Sequence, residues 1–519
     1  MRDQRPRAAL PLSGMVGGLS SALLLLLALP PFNLFPLSFL ALVPLAVSLA
    51  SVPAGPGGPW QATLLGLLFG VTFWGLALVW LPLVVGSVFS WAVPGYLLLL
   101  VILGGLSSLF GWGTHFLSRE RNLPFPLALA LAWVAVEFVK AHFPFGLAFP
   151  WLGLSLTLSE WPELLSLAEW TGEAGVSFWL AGVNGLVACG VLGLNSRRSL
   201  TPWLWAAGLA LLPSALGIAR ARTLPLADGP AVLVVGTHIP RELRENRPAA
   251  TRAALAQVQE ALRGIAPGEA GVVVLPEATV SVPLGEPGAR SALETLANLA
   301  SELKAPVVVG ALGGSGSEEG EGGLTNSAFL FLPGKPGMER YDKVRLVPGM
   351  EAGSYRRGSG GGTMEAGDWL LGPLLCYESL FGGLARKTRG AGADLLVNLS
   401  SDIWFGHEDS LLGALFLHQH PAHLRLRAVE NRMPVARSAN GGFSLLLDPL
   451  GRLLSEPVPP RGGVTRARVP IFLGTTFYSR IGDWMGTGCA VVFIVLLFGA
   501  PRREGWLPFR SHDKDRLSG

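Results

Sequence analysis

Long apolar segments recur along this chain and constrain its fold more than any other feature. A bilayer span needs about 20 predominantly apolar residues, and about eight segments reach or approach that length. They are Leu12–Leu29, Leu37–Val52, Ala62–Leu83, Trp91–Leu117, Leu123–Val139, Val176–Leu194, Trp203–Ile218 and Met485–Ala500. The sequence therefore predicts a multi-span α-helical membrane domain with about eight transmembrane helices.

Basic residues occur in alternate connections between these segments, which indicates the orientation of the chain. They are Arg2, Arg5 and Arg7 before the first segment, Arg119 and Arg121 after the fourth, Arg197 and Arg198 after the sixth, and Arg502, Arg503, Arg510, Lys514 and Arg516 after the last. Connections Pro30–Pro36, Pro82–Ser90 and Ala141–Gly175 contain no Lys or Arg. Because basic connections stay in the cytoplasm, we expect both termini to be cytoplasmic and the region between the seventh and last segments to lie outside.

Composition agrees with a membrane protein and disfavours a nucleic-acid binder. Only 15% of the 519 residues are charged, against about 25% in a typical soluble protein. The net charge is +4 and no long run of basic residues occurs, so binding to nucleic acid is not predicted. Cys189 and Cys489 lie in apolar segments and Cys376 lies in the polar part, which indicates no disulfide framework.

Residues 219–480 have a different pattern, in which short β-branched runs alternate with helical stretches and are followed by hairpin-like strands. This pattern predicts an α/β or α+β domain with a central sheet. We therefore expect three regions. Residues 1–218 form a transmembrane domain of seven spans, residues 219–480 an extracytoplasmic catalytic domain, and residues 481–519 the final span with a basic cytoplasmic tail.

Three reactive side chains follow buried strands or their turns in this region: Glu277, Lys343 and Cys376. A thiol becomes a good nucleophile when a nearby base takes its proton, and a carboxylate can act as that base. A lysine beside them favours the thiolate and stabilises an oxyanion. The residues alone also fit a buried inert cysteine, a surface lysine and a turn-capping glutamate, because nothing local fixes their geometry.

Ordered motifs around these residues resemble the nitrilase, or carbon–nitrogen hydrolase, superfamily. The motifs are LPEA around Glu277, YDKVRLVPGMEAG around Lys343, LLCYESLF around Cys376, NLSSDIWFG at residues 398–406, and RAVENRMPVARSANGGFS farther on. With the apolar amino-terminal half included, nearly the whole chain resembles the apolipoprotein N-acyltransferase family. The resemblance implies an αββα sandwich for the catalytic domain.

The resemblance also implies roles for individual residues. Glu277 would be the general base, Cys376 the nucleophile and Lys343 the cation that stabilises the oxyanion. Supporting positions would be the Tyr377 amide as a second oxyanion donor, Glu378 and Glu351 beside the lysine, and Trp404 and Phe405 at the entrance for acyl chains. Two departures occur: Glu245 stands where many relatives carry tryptophan, and the lysine motif lacks their aromatic residues.

By the same resemblance, Cys376 takes an acyl chain from a membrane phospholipid, commonly phosphatidylethanolamine, as a thioester. The acyl chain then passes to the α-amine of the amino-terminal diacylglyceryl cysteine of an apolipoprotein. The implied location is the bacterial inner membrane, with the catalytic domain on the periplasmic side and no cofactor. The alternatives are a membrane-tethered amidase or nitrilase, and a non-enzymatic transporter or assembly protein; intact catalytic residues weigh against the latter.

Several further polar residues are not assigned a role in the reaction. Glu137 and Lys140 either mark a functional polar site or reach the lipid headgroups from a helix end. His418, His420 and His423 are a weak metal pattern, because Pro421 interrupts the helical spacing and no Cys or carboxylate cluster accompanies them. No metal site is predicted. Asp402 is expected to be structural, and Arg432, Arg437 and Asn440 to brace the sheet near the site.

Overall fold

A computed structural model describes residues 10–87, 89–144, 146–194, 200–314, 323–360, 362–406 and 409–499. Its amino-terminal half is helical. The helices are α1 Leu12–Ala28, α2 Val43–Ala50, α3 Gly58–Ala77, α4 Trp80–Leu83, α5 Ala92–Arg119, α6 Phe125–Ala141, α7 Ala168–Leu194 and α8 Thr201–Thr223. Proline occupies the first turn of α2, α3, α6 and α8, where its missing N–H costs no helical hydrogen bond.

Four of the described helical segments are long and apolar enough to cross a membrane: Gly58–Ser87, Ala92–Arg119, Leu164–Gly193 and Thr201–Thr223. Leu12–Ala28, Phe35–Ala50 and Trp484–Phe498 are shorter apolar helices. The amino-terminal half is therefore a helical, membrane-embedded region. The basic residues predicted at both termini and at Arg197 and Arg198 lie outside the described residues.

Helices α3 and α5 approach each other closely because glycines remove side chains from their contact. A Cβ atom on Gly66 would lie 2.2 Å from the Ser107 carbonyl oxygen, and one on Gly111 would lie 2.3 Å from the Ala62 carbonyl oxygen. Small residues allow helix backbones to pack closely in lipid, where van der Waals contact drives association. This contact fixes α5, one face of which borders the site described below.

The polar part of the chain contains two facing sheets. The strands are β1 Leu226–Ala227, β2 Ala231–Gly236, β3 Val272–Val274, β4 Val307–Gly313, β5 Thr325–Phe331, β6 Glu339–Asp342, β7 Met364–Ala366, β8 Trp369–Leu375, β9 Leu395–Ser401, β10 Val435–Asn440, β11 Leu445–Leu447, β12 Gly463–Arg468 and β13 Ile471–Phe472. One sheet has six strands in the order β12-β2-β3-β4-β5-β6, and the other has five in the order β11-β10-β9-β8-β7. β1 and β13 form a separate pair.

Alternating side chains explain why helices cover the outer faces. In β2, Val232 and Val234 enter the core between the sheets, whereas Leu233 and Val235 point to the opposite face. The outer helices are α9 Arg247–Ala261 and α10 Arg290–Leu303 on the six-stranded sheet, and α11 Gly382–Gly390 and α12 Leu411–Asn431 on the five-stranded sheet. The result is a four-layer αββα sandwich, followed by α13 Phe477–Ile481 and α14 Trp484–Phe498.

Two details differ from the sequence prediction. Pro421 does not interrupt the helical spacing, because α12 begins at Leu411, after the Ser410 cap, and continues through the proline to Asn431. Burial on both sides of α12 outweighs the hydrogen bond that the proline removes. Lys343 directly follows β6, a strand that was not predicted.

Helix α12 joins the two halves of the molecule. Phe416, on its first turns, packs edge-on against Trp80 of α4 at 4.9 Å and stacks on Trp151 at 5.6 Å between ring centroids. Buried Arg427 pairs with Glu173, and buried Arg432 with Glu169, both on α7. Arg432 thus braces the contact between the halves rather than the sheet.

We predict that Gly111→Ala destabilises the protein while Gly105→Ala, on the same helix, does not. The Gly111 Cβ would collide with α3, whereas a Cβ on Gly105 meets no atom within 4 Å. Overpacking of this kind costs about 1–3 kcal/mol. Thermal unfolding in detergent should show a lower Tm for Gly111→Ala only, and equal Tm values for the two variants would contradict the described packing.

Candidate active site

The nucleophile candidate, Cys376, lies at the carboxyl end of β8, where the chain turns into a short 3-10 helix, Cys376–Leu380. Its φ of 48° is in the left-handed region, which a residue with a side chain adopts only when its surroundings enforce it. Such strained strand-to-helix turns are common at nucleophiles, because they project the side chain out of the sheet edge. The side chain is 7% exposed.

Glu277 and Lys343 come together at the same end of the sandwich. Lys343 Nζ donates a hydrogen bond to Glu277 Oε1 at 3.0 Å, and both side chains are buried. Asn326 Nδ2 also donates to Glu277 Oε1, at 2.7 Å. Oε2 accepts no hydrogen bond from the residues that the structure describes, so this oxygen is available for a proton. Gly310 makes room for Glu277, since a Cβ there would lie 2.4 Å from the Glu277 Cα.

Glu351 completes this group and ties it to the following loop. Its Oε1 accepts hydrogen bonds from Lys343 Nζ and Asn326 Nδ2, both at 2.8 Å. Its Oε2 accepts from the Val347 amide at 2.8 Å. One lysine therefore lies between two carboxylates, and the loop that carries Glu351 is fixed relative to them.

Charges in this group act on the thiol and on each other. Burial raises the pKa of the Cys376 thiol to about 12, the Glu277 carboxylate adds to the increase, and Lys343 opposes it. Burial alone would lower the pKa of Lys343, but the Glu277 and Glu351 carboxylates raise it well above its usual value. Lys343 is consequently a permanent cation, and the thiol is protonated at neutral pH until a base removes its proton.

Glu378 holds the lysine loop against the nucleophile turn. Its buried carboxylate accepts hydrogen bonds from the amides of Val344 at 2.6 Å, Arg345 at 3.1 Å and Leu375 at 2.7 Å. Burial raises the pKa of Glu378 above its usual value, although the hydrogen bonds from these amides partly oppose the increase. Tyr377, next to the nucleophile, donates from its hydroxyl to the Ala148 carbonyl at 3.0 Å, which connects the turn to the loop after α6.

A second polar set beside Cys376 was missed by sequence reasoning. The Cys376 sulfur and ligand atoms of Asp402 and His420 lie within 4.8 Å of one another. His420 Nδ1 is 3.2 Å from Asp402 Oδ1, and its Nε2 is 3.2 Å from the Cys376 carbonyl oxygen. Asp402 also pairs with Arg437. A guanidinium on that carboxylate competes with a metal ion, so the set is better suited to orienting groups than to metal binding.

The run of three histidines was the sequence signal for this set. Which of them reaches Cys376 depends on the continuation of α12 through Pro421, which the sequence did not predict. His418 packs against Phe443 at 4.8 Å between ring centroids, and buried His423 has no hydrogen-bond partner among the described residues. The three histidines therefore do not converge. Only His420 reaches Cys376, and the accompanying carboxylate comes from the end of β9 rather than from nearby sequence. Asp402 has the structural partners that the sequence analysis expected.

An apolar cavity of about 260 Å³ opens onto Cys376. Leu98, Leu99 and Ile102 of α5 form one wall, and Phe149 with Trp151 of the loop after α6 forms another. Phe405 also contributes, whereas Trp404 lies next to Phe89 at 5.7 Å between ring centroids. Cys376 thus faces a space whose walls belong largely to the membrane-embedded half.

Glu137 and Lys140 hold the loop that forms one wall of this cavity. Lys140 Nζ donates to the Trp151 carbonyl at 2.7 Å and lies 4.7 Å from the Trp74 ring centroid, and Glu137 accepts from the Leu154 amide at 2.7 Å. Lys140 is buried, so it does not reach the headgroups. The pair holds the loop after α6, whose Trp151 borders the cavity.

Comparison with known proteins now identifies the family. Residues 21–186 match the apolipoprotein N-acyltransferase N-terminal domain, and residues 235–471 match the carbon–nitrogen hydrolase domain. An apolipoprotein N-acyltransferase of Geobacter metallireducens is 27% identical and covers 96% of this chain and 97% of its own length. One of Methylococcus capsulatus is 28% identical over 91% of this chain and 94% of its own. The chain belongs to the apolipoprotein N-acyltransferase family.

Membership in this family makes the chain an acyltransferase with a nitrilase-like catalytic domain. The similar solved structures include a CN-hydrolase superfamily protein from Xanthomonas campestris, with 18% identity and a TM-score of 0.37 over 54% of this chain and 100% of that one. A carbon–nitrogen hydrolase from Helicobacter pylori has 15% identity and a TM-score of 0.38 over 46% of this chain and 88% of that one.

The electrostatics predict how the reactivity of Cys376 depends on pH. Because its pKa is raised to about 12, alkylation of the thiol should increase as the pH rises through the alkaline range. Glu277→Gln removes a charge that raises this pKa and should speed alkylation at pH 8 by about tenfold for each unit by which the pKa falls. Lys343→Gln should slow it. The measurement is the rate of iodoacetamide labelling against pH, followed by mass spectrometry of the peptide that contains Cys376.

Arg252→Gln, an exposed position on α9, serves as the control and should leave the profile unchanged. A profile that Glu277→Gln does not move, but that His420→Gln does, would instead assign control of the thiol to His420.

Proposed function

We propose that this chain transfers an acyl chain from a membrane phospholipid, through a thioester on Cys376, to the α-amine of the amino-terminal diacylglyceryl cysteine of an apolipoprotein. One observation carries the proposal: Cys376 borders an apolar cavity, one wall of which is formed by α5. A nucleophile for polar amides has no need of such a cavity, whereas an acyl chain gains free energy by entering it. The names of similar family members, apolipoprotein N-acyltransferases, agree with this substrate class.

In the first step, Glu277 takes the proton of the Cys376 thiol through its free Oε2, and the thiolate attacks the ester carbonyl carbon of the phospholipid. The bond from that carbon to the glycerol oxygen breaks, and the departing lysophospholipid oxygen receives the proton from Glu277. Geometry supports this role for Glu277, because its other oxygen is already occupied by Lys343 and Asn326.

The oxyanion of this step requires donors, and Lys343 supplies a buried positive charge beside the thiol. The Tyr377 amide is our candidate for the second donor, because the first N–H groups of a helical turn have no partner within it. Glu351 and Glu378 position the lysine and its loop through the hydrogen bonds given above. Trp404 and Phe405 would border the entrance for the acyl chain.

In the second step, the neutral α-amine of the acceptor attacks the thioester carbon, and the carbon–sulfur bond breaks. The amine proton passes to Glu277 and returns the thiol to its resting form. A covalent intermediate suits two lipid substrates that use one cleft in turn. The apolar surroundings of Cys376 keep water scarce, which favours transfer to an amine over hydrolysis by a membrane-tethered amidase.

This function also requires a location and a topology. We place the chain in the bacterial inner membrane with about eight spans, as its apolar segments predict. In this arrangement residues 1–218 hold seven spans, residues 219–480 form the periplasmic catalytic domain, and residues 481–519 contain the last span with a cytoplasmic tail. The alternation of basic connections supports cytoplasmic termini. Phosphatidylethanolamine is the proposed donor, and no cofactor enters the reaction.

Incubation of the purified protein with phosphatidylethanolamine in detergent tests the proposal. Intact-mass spectrometry should detect one acyl adduct that hydroxylamine removes, because thioesters react with it, and peptide mapping should place the adduct on Cys376. Adding a diacylated lipopeptide should discharge the adduct and yield the N-acylated peptide.

Cys489→Ala is the matched control, since Cys489 is also buried and should be dispensable. Cys376→Ala should abolish the adduct. Absence of the thioester, together with full N-acylation by Cys376→Ser, would contradict the mechanism. Discharge to free fatty acid in the presence of the lipopeptide would identify a hydrolase instead.

A further inference from the structure

Arg244 is a cation in the active-site cleft that the chemistry above does not use. It lies in a short 3-10 turn, Arg241–Glu245, between the end of β2 and the start of α9. Its Nη2 donates to Ser401 Oγ at 2.5 Å, and its guanidinium carbon lies 5.0 Å from the centroid of the Trp404 ring. These contacts turn the side chain toward the ends of the strands, where the catalytic residues lie.

Arg244 borders a small cavity that it shares with the proposed general base. The walls of this cavity include Arg244, Glu277, Thr237 and Asn440. Glu277 acts electrostatically on both the Arg244 guanidinium and the Cys376 thiol. The guanidinium and the nucleophile therefore flank the same carboxylate.

Arg244 is half-buried, and among the described residues its guanidinium forms no ion pair of the kind that usually compensates a cation removed from water. Its Nε is buried without a hydrogen-bond partner, and it forms no ion pair with a carboxylate of the described residues. Burial lowers the pKa of Arg244 to about 10, so the group remains charged at neutral pH. Partial removal of an unpaired cation from water is costly, and an anionic ligand that accepts from the guanidinium at this cleft would offset that cost.

Glu277 does not serve as that partner. Its Oε1 is occupied by Lys343 and Asn326, and no contact within salt-bridge distance joins its carboxylate to Arg244 among the described residues. The Trp404 ring supplies only a weak attraction for a cation compared with an anionic oxygen.

We propose that Arg244 binds the phosphodiester group of the donor lipid during acylation of Cys376. The inference rests on the proposed function and identifies how one of its two substrates is recognised. The donor carries an obligatory anion, joined to the scissile ester through glycerol, whereas the reacting group of the acceptor is an amine. Arginine suits this task because its planar N–H donors match phosphate oxygens.

A specific consequence follows for donor selection. Diacylglycerol has the same acyl esters as a phospholipid but lacks the phosphodiester, so it should acylate Cys376 poorly. Once the acyl chain has moved to the thiol, the lysophospholipid retains only the contact with Arg244 and its remaining polar groups, which allows it to leave before the acceptor enters.

The test compares the rate of thioester formation from dioleoyl phosphatidylethanolamine with that from dioleoylglycerol, in the same detergent, by intact mass. The wild-type protein should have a kcat/KM for the phospholipid at least about tenfold above that for diacylglycerol, as loss of a charge-assisted contact predicts. Arg244→Gln should raise the KM for the phospholipid by a similar factor, leave the maximal rate nearly unchanged, and leave acylation by diacylglycerol unaffected.

Arg252→Gln, an exposed arginine on α9, is the matched control and should behave as wild type. Equal use of the two lipids by the wild-type protein would overturn the inference without need of any variant. If Arg244→Gln slowed the acylation of Cys376 by both lipids to the same degree, the inference would also be overturned, because the residue would then act on the fold or on the thiol. If the wild-type protein formed no adduct with either lipid, the proposed function itself would be contradicted.

Discussion

The contact between α12 and the membrane-embedded half is the interaction on which the rest of the structure depends. Phe416 packs among aromatic rings of both halves, with Phe405 at 3.7 Å and Trp80 at 4.9 Å between centroids. Burying large aromatic surfaces gives this contact most of its free energy. Buried ion pairs such as Arg427–Glu173 then restrict how the halves can be arranged, because separating either partner would leave an uncompensated charge.

This contact forms the apolar cavity beside Cys376, and it also buries the Cys376 thiol. Apolar walls from α5 and from the loop at Trp151 suit an acyl chain, but the same burial raises the pKa of the Cys376 thiol. Lys343 lowers that pKa, while Glu277 offers an oxygen for the proton. Burial therefore keeps the thiol protonated at neutral pH. In the proposed mechanism, Glu277 removes this proton once a substrate has excluded the remaining water.

Sequence reasoning succeeded where a local pattern carried the information. Buried strands before Glu277 and Cys376 were visible in the apolar runs, whose alternation with helical stretches predicted a domain with a central sheet. The αββα sandwich was implied by the family resemblance. The ordered motifs brought Lys343 to the same site, although the strand before it was not recognised because only four residues form it. His420 could not be found, since Pro421 suggested a broken helix and only tertiary packing keeps that helix continuous. The ends of the membrane helices could not be predicted accurately either, because they depend on packing against other helices and not only on the length of each apolar segment.

The central claim is that the two halves form one site, in which an acyl chain on Cys376 lies against α5. A phospholipid with a photoreactive diazirine at the end of its acyl chain measures this directly. The acyl-enzyme would be formed without acceptor, irradiated, digested and analysed by mass spectrometry. Crosslinks from Cys376 to Leu98, Leu99 or Ile102 are the predicted result. Crosslinks confined to the lipid-exposed face of α8, with none on α5, would contradict the account.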